Sequence, residues 1–230
     1  MLFLWKVCSM LTATEENYLK AIFKISESGV KAVTTNAVAA ILKTKAASVT
    51  DMMKRLSEKG LVEYEKYKGA LLTLAGARMA KSLIRRHRLW EVFLVDKLDF
   101  TWDEVHVIAE QLEHIRSPLL AERLDTFLGY PKFDPHGDPI PDEQGNIRYH
   151  DEVSLFDVKP GGAAIVVGVK DSSANFLKYL DQIGIGLGAR IKVIQAVEYD
   201  QSREVLINLK FTRNVSRQLC QNLYVNRLND

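Results

Sequence analysis

Cysteine is almost absent from this chain: Cys8 and Cys220 are the only two in 230 residues. Two thiols so far apart exclude a disulfide framework and a zinc knuckle, and they make a reducing compartment, the cytoplasm, the expected location. Long apolar runs are missing as well. The opening Met1 to Met10 is apolar but is broken by Lys6, and it falls far short of the roughly 20 residues that span a bilayer. It also lacks the h-region and cleavage site of a signal peptide. Its simplest reading is an extended start with Met10 the working initiator, because the polar helix-start signal Thr12 to Glu16 follows at once. No membrane partner is expected. Hydrophobic residues at 47% and charged residues at 26% exclude disordered and fibrous classes.

Net charge is also small, +2, but it is unevenly spread. Residues 1–98 hold 17 Lys and Arg against 9 Asp and Glu, residues 99–152 hold 4 against 13, and residues 153–230 hold 10 against 7. A basic front followed by an acidic middle suggests a polyanion-binding unit beside a cation-binding one.

Apolar spacing predicts a helix over 14–28, stopped by Gly29. An N-cap at Thr34-Thr35-Asn36 then starts a short helix, Ala37 to Leu42, and a second follows from Ala46 to Glu58. Two short helices across a tight turn form a helix-turn-helix. After Gly60 the period falls to two through Leu61–Lys66 and Leu71–Leu74, which predicts a hairpin wing. Helical patterning returns over 75–98, 101–115 and 117–128, the last opened by Ser117-Pro118. Residues 129–152, with Pro131, Pro135, Pro139 and Pro141, read as an ordered-loop linker. Beyond it, β-rich runs at 163–169, 190–197 and 204–210 and one helix near 173–183 fit a small, partly open β-barrel.

Two constellations carry chemistry. The second helix of the pair turns Ser48, Thr50, Asp51, Lys54 and Arg55 outward while Val49, Met52, Met53 and Leu56 face inward. Small residues at its start, Ala46 and Ala47, admit the helix end to a major groove, where Thr35 of the preceding helix joins this set. Lys45, Lys54 and Arg55 are placed for phosphates, as are Lys66, Tyr67 and Lys68 of the wing. The partner expected is double-stranded DNA.

The other constellation is His106, Glu110, Glu113 and His114, at i, i+4, i+7 and i+8 on one helix face, with His87 and Glu91 at i and i+4 on the helix before. Exposed ion pairs explain either set alone but explain poorly six such residues within 28. Helices presenting His and Glu to a common seam are how bundles assemble divalent-metal sites.

These stretches together resemble the diphtheria-toxin-repressor family of metal-dependent transcriptional repressors, which includes manganese transport regulators. The resemblance rests on Thr14 to Ile22, the helix-turn-helix through Lys59-Gly60-Leu61-Val62, the wing Tyr64 to Gly69, Arg85-Arg86-His87-Arg88-Leu89, and Glu110-x-x-Glu113-His114. It implies a winged helix-turn-helix over 1–75, a helical metal-binding and dimerisation domain over 76–145, and an SH3-like (FeoA-like) β-barrel over 146–230. A homodimer on a palindromic operator follows from it. It puts a primary metal site on Asn17, Glu110, Glu113 and His114. An ancillary site falls on His87, Glu91 and His106, or on Glu91 with Asp134, His136 and an acid from the barrel, Asp171. The iron-responsive branch has cysteine where Glu110 stands, and other members have methionine or aspartate at Asn17.

An oxygen-rich donor set with one imidazole and no thiolate suits Mn²⁺ ahead of Fe²⁺. The Irving–Williams order means that Zn²⁺, with Co²⁺ and Cd²⁺, is expected to bind in vitro as well. Two rivals remain at this stage. A metallohydrolase lacks a His-Glu-x-x-His motif or a nucleophile elbow here; a helix-turn-helix regulator sensing an organic ligand would bind its operator without metal.

Overall fold

The structure, a computed structural model, describes residues 11–27, 29, 32–148 and 152–228. The expected alternative start at Met10 lies outside the described residues. The chain divides into two compact units, one drawn from residues 1–87, 110–123 and 141–146, the other from 88–109, 124–140 and 147–230. Among the described residues no helix is long and apolar enough to cross a membrane.

The first unit begins with α1 (Ala13–Glu27). Its start is a reciprocal capping box: the Glu15 amide donates to Thr12 Oγ1 at 3.2 Å and the Thr12 amide to Glu15 Oε2 at 2.8 Å. Tyr18, Leu19, Ile22 and Phe23 form its buried stripe. Helices α2 (Thr35–Ile41) and α3 (Ala46–Glu58) follow, α2 capped by the Thr34 side chain accepting from the Ala37 amide. Val38, Val49, Met53 and Leu56 are fully buried, so the helix pair is held by its inward faces. Strands β1 (Val62–Glu65) and β2 (Gly69–Leu72) pair antiparallel, Val62 opposite Leu72 and Glu65 opposite Gly69. Helix-turn-helix and wing are thus as the periodicity predicts.

Helix α4 (Leu74–Leu98) supplies residues to both units. The helix expected over 101–115 is shorter, α5 (Val105–Leu112). Its first turn is taken by the Thr101 amide bonding Glu104 Oε2 at 3.2 Å, and Glu113 and His114 lie in the turn that follows the helix. Helix α6 (Pro118–Phe127) starts where Ser117 Oγ accepts from the Leu120 amide.

In the second unit Leu89, Val92, Leu124 and Ile140 form one small core. Strands β3 (Val153–Ser154), β4 (Ala163–Val169), β5 (Arg190–Ala196), β6 (Arg203–Ile207), β7 (Phe211–Val215) and β8 (Leu223–Leu228) make an antiparallel sheet in the order β3-β8-β4-β5-β6-β7. Helix α7 (Ala174–Ile183) buries Leu177 and Leu180 in its core, and a short α8 (Arg217–Gln221) precedes β8. Register shifts at Val166/Gly168 and Val193/Gln195 bend the sheet. Over 129–148 the described chain holds no helix or strand, yet it is tied down. The Val169 amide donates to the His136 carbonyl at 2.9 Å. Gly137, at φ +88°, approaches β4 so closely that a Cβ would lie 2.1 Å from the Val167 oxygen, so glycine is required there.

Candidate metal centres and nucleic-acid face

In the first unit a charged cluster stands among α1, the His87 end of α4 and the turn after α5. Glu113 is buried, and its Oε2 lies 2.6 Å from Lys20 Nζ and 2.5 Å from His87 Nδ1. Burial works to raise the Glu113 pKa, but the His87 hydrogen bond and the Lys20 charge outweigh it and hold the carboxyl below its ordinary value. Burial lowers the Lys20 pKa, opposed first by Glu113 and more weakly by Glu110. The other oxygen, Oε1, is buried with no hydrogen-bond partner. It stands 3.9 Å from His114 Nε2.

His114 is fixed from its other side, where Nδ1 lies 2.6 Å from Glu16 Oε2. Glu16 is itself buried, with Arg116 Nε at 3.2 Å and Arg86 Nη2 at 3.6 Å from Oε1. A carboxylate partner on one ring nitrogen, which keeps the other for an ion, is the usual arrangement of a ligating histidine. An unpartnered buried oxygen beside that second nitrogen fits a divalent cation. Asn17 and Glu110 are exposed. Asn17 and Lys20 share a face of α1, one turn apart. Among the described residues no group of three donors within 4.8 Å includes Glu110.

In the second unit Glu91, Asp134 and His136, all buried, bring one donor atom each within 4.8 Å of the others. His136 Nε2 donates to the Trp102 carbonyl at 2.7 Å, so Nδ1 faces Glu91 Oε2 at 3.8 Å and Asp134 Oδ1 at 3.9 Å. Asp134 is preorganised by its own loop, accepting the His136 and Asp138 amides at 2.8 and 3.0 Å. Burial, then the Glu91 and Asp138 charges, raise the Asp134 pKa, with Arg88 opposing. Burial lowers the His136 pKa, but Glu91 and Asp134 overcome it and leave it raised. His106, partly exposed, reaches Glu91 Oε1 through Nδ1 at 3.3 Å. Asp171 stands outside the Glu91–Asp134–His136 group and accepts the Ser173 amide at 2.9 Å. Cys220 is buried and its thiol is pushed up to about 11, and among the described residues the donor groups are made of oxygen and imidazole alone.

Lys45, Ala47, Ser48, Asp51, Lys54 and Arg55 are exposed. Thr50 is partly buried and donates to the Ala46 carbonyl at 3.0 Å; Met52, expected inside, is partly exposed, as is Thr35. On the wing Lys66, Tyr67 and Lys68 are exposed, with Lys68 2.7 Å from Glu65. Sequence reasoning passed over Glu16 and Lys20. Their adjacency to Asn17 was the available signal, but two acids in the first turn of a helix are ordinarily read as complementing its dipole.

A winged helix-turn-helix, a histidine- and carboxylate-bearing helical region and a small sheet domain define the class of metal-responsive DNA-binding regulators. Residues 10–70 match the family described as iron dependent repressor, N-terminal DNA binding domain. Residues 73–142 match the iron dependent repressor metal binding and dimerisation domain, and residues 153–227 the FeoA domain. The iron-dependent repressor IdeR of Mycobacterium leprae is 34% identical over 131 residues, which cover 57% of this chain and 56% of that protein. The diphtheria toxin repressor of Corynebacterium diphtheriae is 31% identical over 137 residues, 59% of this chain and 60% of that one. The chain thus spans little more than half the length of these curated relatives. A solved manganese-dependent transcriptional repressor in complex with manganese is similar at TM-score 0.82 and 34% identity, over 93% of this chain and 100% of that one. ScaR with bound Zn²⁺ is similar at 0.74 and 31%, over 93% and 99%.

The chain belongs to the diphtheria-toxin-repressor family of metal-dependent transcriptional repressors. Members of that family are DNA-binding proteins and not enzymes.

Proposed function

We propose that this chain is a cytoplasmic, metal-dependent repressor of metal-homeostasis genes that answers to Mn²⁺ ahead of Fe²⁺ and binds a palindromic operator as a homodimer. The observation that carries the reading is the pair Glu113 Oε1 and His114 Nε2, 3.9 Å apart, the carboxylate oxygen buried and unpartnered and both groups held from their other side. Asn17 and Glu110 complete the primary centre, Asn17 through its amide oxygen. Glu91, Asp134 and His136 form a second centre, with His106 beside Glu91. The domain borders that go with this reading are 1–75, 76–145 and 146–230.

When bound, the ion supplies a double positive charge that draws these donors together. Asn17 stands on α1, against which α2, α3 and β2 pack, so a contact from Asn17 to the turn after α5 sets where the recognition helix sits. Ser48 and Asp51 then meet a groove while Lys54, Arg55 and the wing lysines meet phosphates. In a homodimer the same adjustment in both copies matches two recognition helices to two half-sites. Exposed Ile115, Leu119 and Leu120 in the first unit and Leu98, Val107 and Phe127 in the second supply apolar surface for the second copy. Metal and operator strengthen each other reciprocally, with a coupling of about 1–3 kcal/mol, or roughly 5–150-fold.

The test is operator binding titrated with Mn²⁺, Fe²⁺ and Zn²⁺ and reversed by chelator. Chelation is expected to abolish specific binding and leave a folded dimer. Equal operator affinity with and without chelator would overturn the reading and favour a regulator that senses an organic ligand.

A further inference from the structure

Lys20 is the observation that the ligand set leaves over. Its side chain is only 9% exposed, and its ammonium lies 2.6 Å from Glu113 Oε2 and 3.4 Å from His87 Nδ1. Lysine is rarely buried to this extent unless it is paired with a charge. The apolar stripe of α1 is made by Leu19, Ile22 and Phe23, whereas Lys20 shares the polar face with Asn17. The pairing on Glu113 is also lopsided: two donors crowd Oε2, and Oε1 has none.

We propose that Lys20 is a positioning residue and the resident counter-charge of the primary metal centre, pinning Glu113 Oε2 so that only Oε1 is offered to a divalent ion and cancelling one of the two carboxylate charges of the donor set. This rests on Glu110, Glu113 and His114 being ligands. With Lys20 in place, the charged donors Glu110 and Glu113 present a net charge of −1 and not −2. An incoming cation also meets a fixed positive neighbour behind Glu113. Both effects weaken affinity, because two cations sharing one partly desolvated carboxylate repel each other. Lys20 thereby raises the metal concentration at which the protein responds. The pinned oxygen bears further on which ion is held: an ion that favours two oxygens from one carboxylate is denied the second. Ca²⁺ and the large Cd²⁺ are penalised more than Mn²⁺ in six-coordinate geometry.

The test is Mn²⁺ binding to the full chain, followed by the electron paramagnetic resonance of free and bound Mn²⁺, in the parent, Lys20→Met, Lys20→Gln and Lys20→Arg. Lys20→Gln keeps a donor for Oε2 without the charge, so the cluster stays satisfied if Lys20→Met folds poorly. Both neutral variants are expected to bind the primary Mn²⁺ about tenfold more tightly or better, while Lys20→Arg, which keeps the positive charge, is expected to show no such gain. The bound-Mn²⁺ spectrum is expected to change in Lys20→Met; because His87 still holds Oε2 there, Cd²⁺ and Mn²⁺ affinities are expected to rise together. A folded neutral variant with parental or weaker Mn²⁺ affinity would overturn the proposal and leave Lys20 an ordinary buried ion pair. Glu110→Gln separates this from the underlying reading. If it removes the primary Mn²⁺ while the neutral Lys20 variants bind no more tightly, the counter-charge role alone fails. If Glu110→Gln leaves Mn²⁺ binding intact, the ligand assignment fails and the counter-charge role with it.

Discussion

His114 Nδ1 and Glu16 Oε2 lie 2.6 Å apart although 98 positions separate the two residues. The contact fixes the ring so that Nε2 faces Glu113, and it ties the first turn of α1 to the turn after α5. Glu16→Ala is therefore expected to weaken Mn²⁺ binding by about 10–100-fold, the usual loss when such a partner of a ligating histidine is removed. Glu16→Gln, whose amide oxygen still accepts from Nδ1, should recover most of that loss. Titration of both variants with Mn²⁺, with circular dichroism melts to verify folding, checks the assignment. Equal effects of Ala and Gln would make Glu16 merely a partner for Arg86 and Arg116.

Glu110 stands on the last turn of α5, exposed, and no compact donor group includes it among the described residues. If it closes on the ion with Glu113 and His114, Glu110→Cys replaces a hard oxygen by a soft thiolate. The variant should then respond relatively better to Fe²⁺, Co²⁺ or Zn²⁺ and relatively worse to Mn²⁺ in operator binding. A parental ranking of metals in the variant would take Glu110 out of the coordination sphere.

Much of this molecule is legible because it is local. Thr12 and Glu15 cap α1 across three residues, Thr34 caps α2, and the change of period after Gly60 marks the wing. What sequence reading passed over is long-range or weakly patterned. Nothing within α1 says that Glu16 and Lys20 find partners 98 and 93 residues away. Strand β7, Phe-Thr-Arg-Asn-Val, buries only its final valine, so no alternation announces it. Strand β8 does alternate, with Leu223 and Val225 inside, but it follows directly on a helix of only five residues, which blurs the change of period. The loop at 134–138 was readable as stiff from Pro135 and the flanking Pro131 and Pro139; that its Asp-x-His pair meets Glu91 was expected only from the family resemblance, and the fold brings one donor atom of each within 4.8 Å.

Lys54 and Lys68 are 60% and 74% exposed, each beside an acid three residues away, Asp51 at 3.9 Å and Glu65 at 2.7 Å. Exposed pairs of this kind contribute roughly 0.2–1 kcal/mol to folding, so alanine at either position should leave stability nearly intact. As phosphate contacts each should reduce the slope of log operator affinity against log salt by about 1 and leave base preference unchanged. A changed base preference at constant slope would assign the side chain to base edges.

The second centre makes the most demanding prediction, because its three donors are buried and already close. Glu91 and Asp134 place two carboxylates near one imidazole, and Arg88 lies 3.5 Å from Asp134 Oδ2. The loop is held by the Asp134 side chain on two amides and by the His136 carbonyl on Val169, so little ordering remains to be done when an ion binds. The double variant Asp134→Ala, His136→Ala should bind fewer Mn²⁺ per chain by calorimetry and need more Mn²⁺ for half-maximal operator binding, while the Glu110-dependent ion is retained. Because Asp134 also caps its own loop, Asp134→Asn with His136→Gln serves as the milder pair: the amide oxygen keeps the loop bonds while the donor set loses one of its two carboxylates and its imidazole. If both pairs keep parental stoichiometry and activation midpoint, Glu91, Asp134 and His136 are a structural ion-pair cluster and the protein works with its primary centre alone.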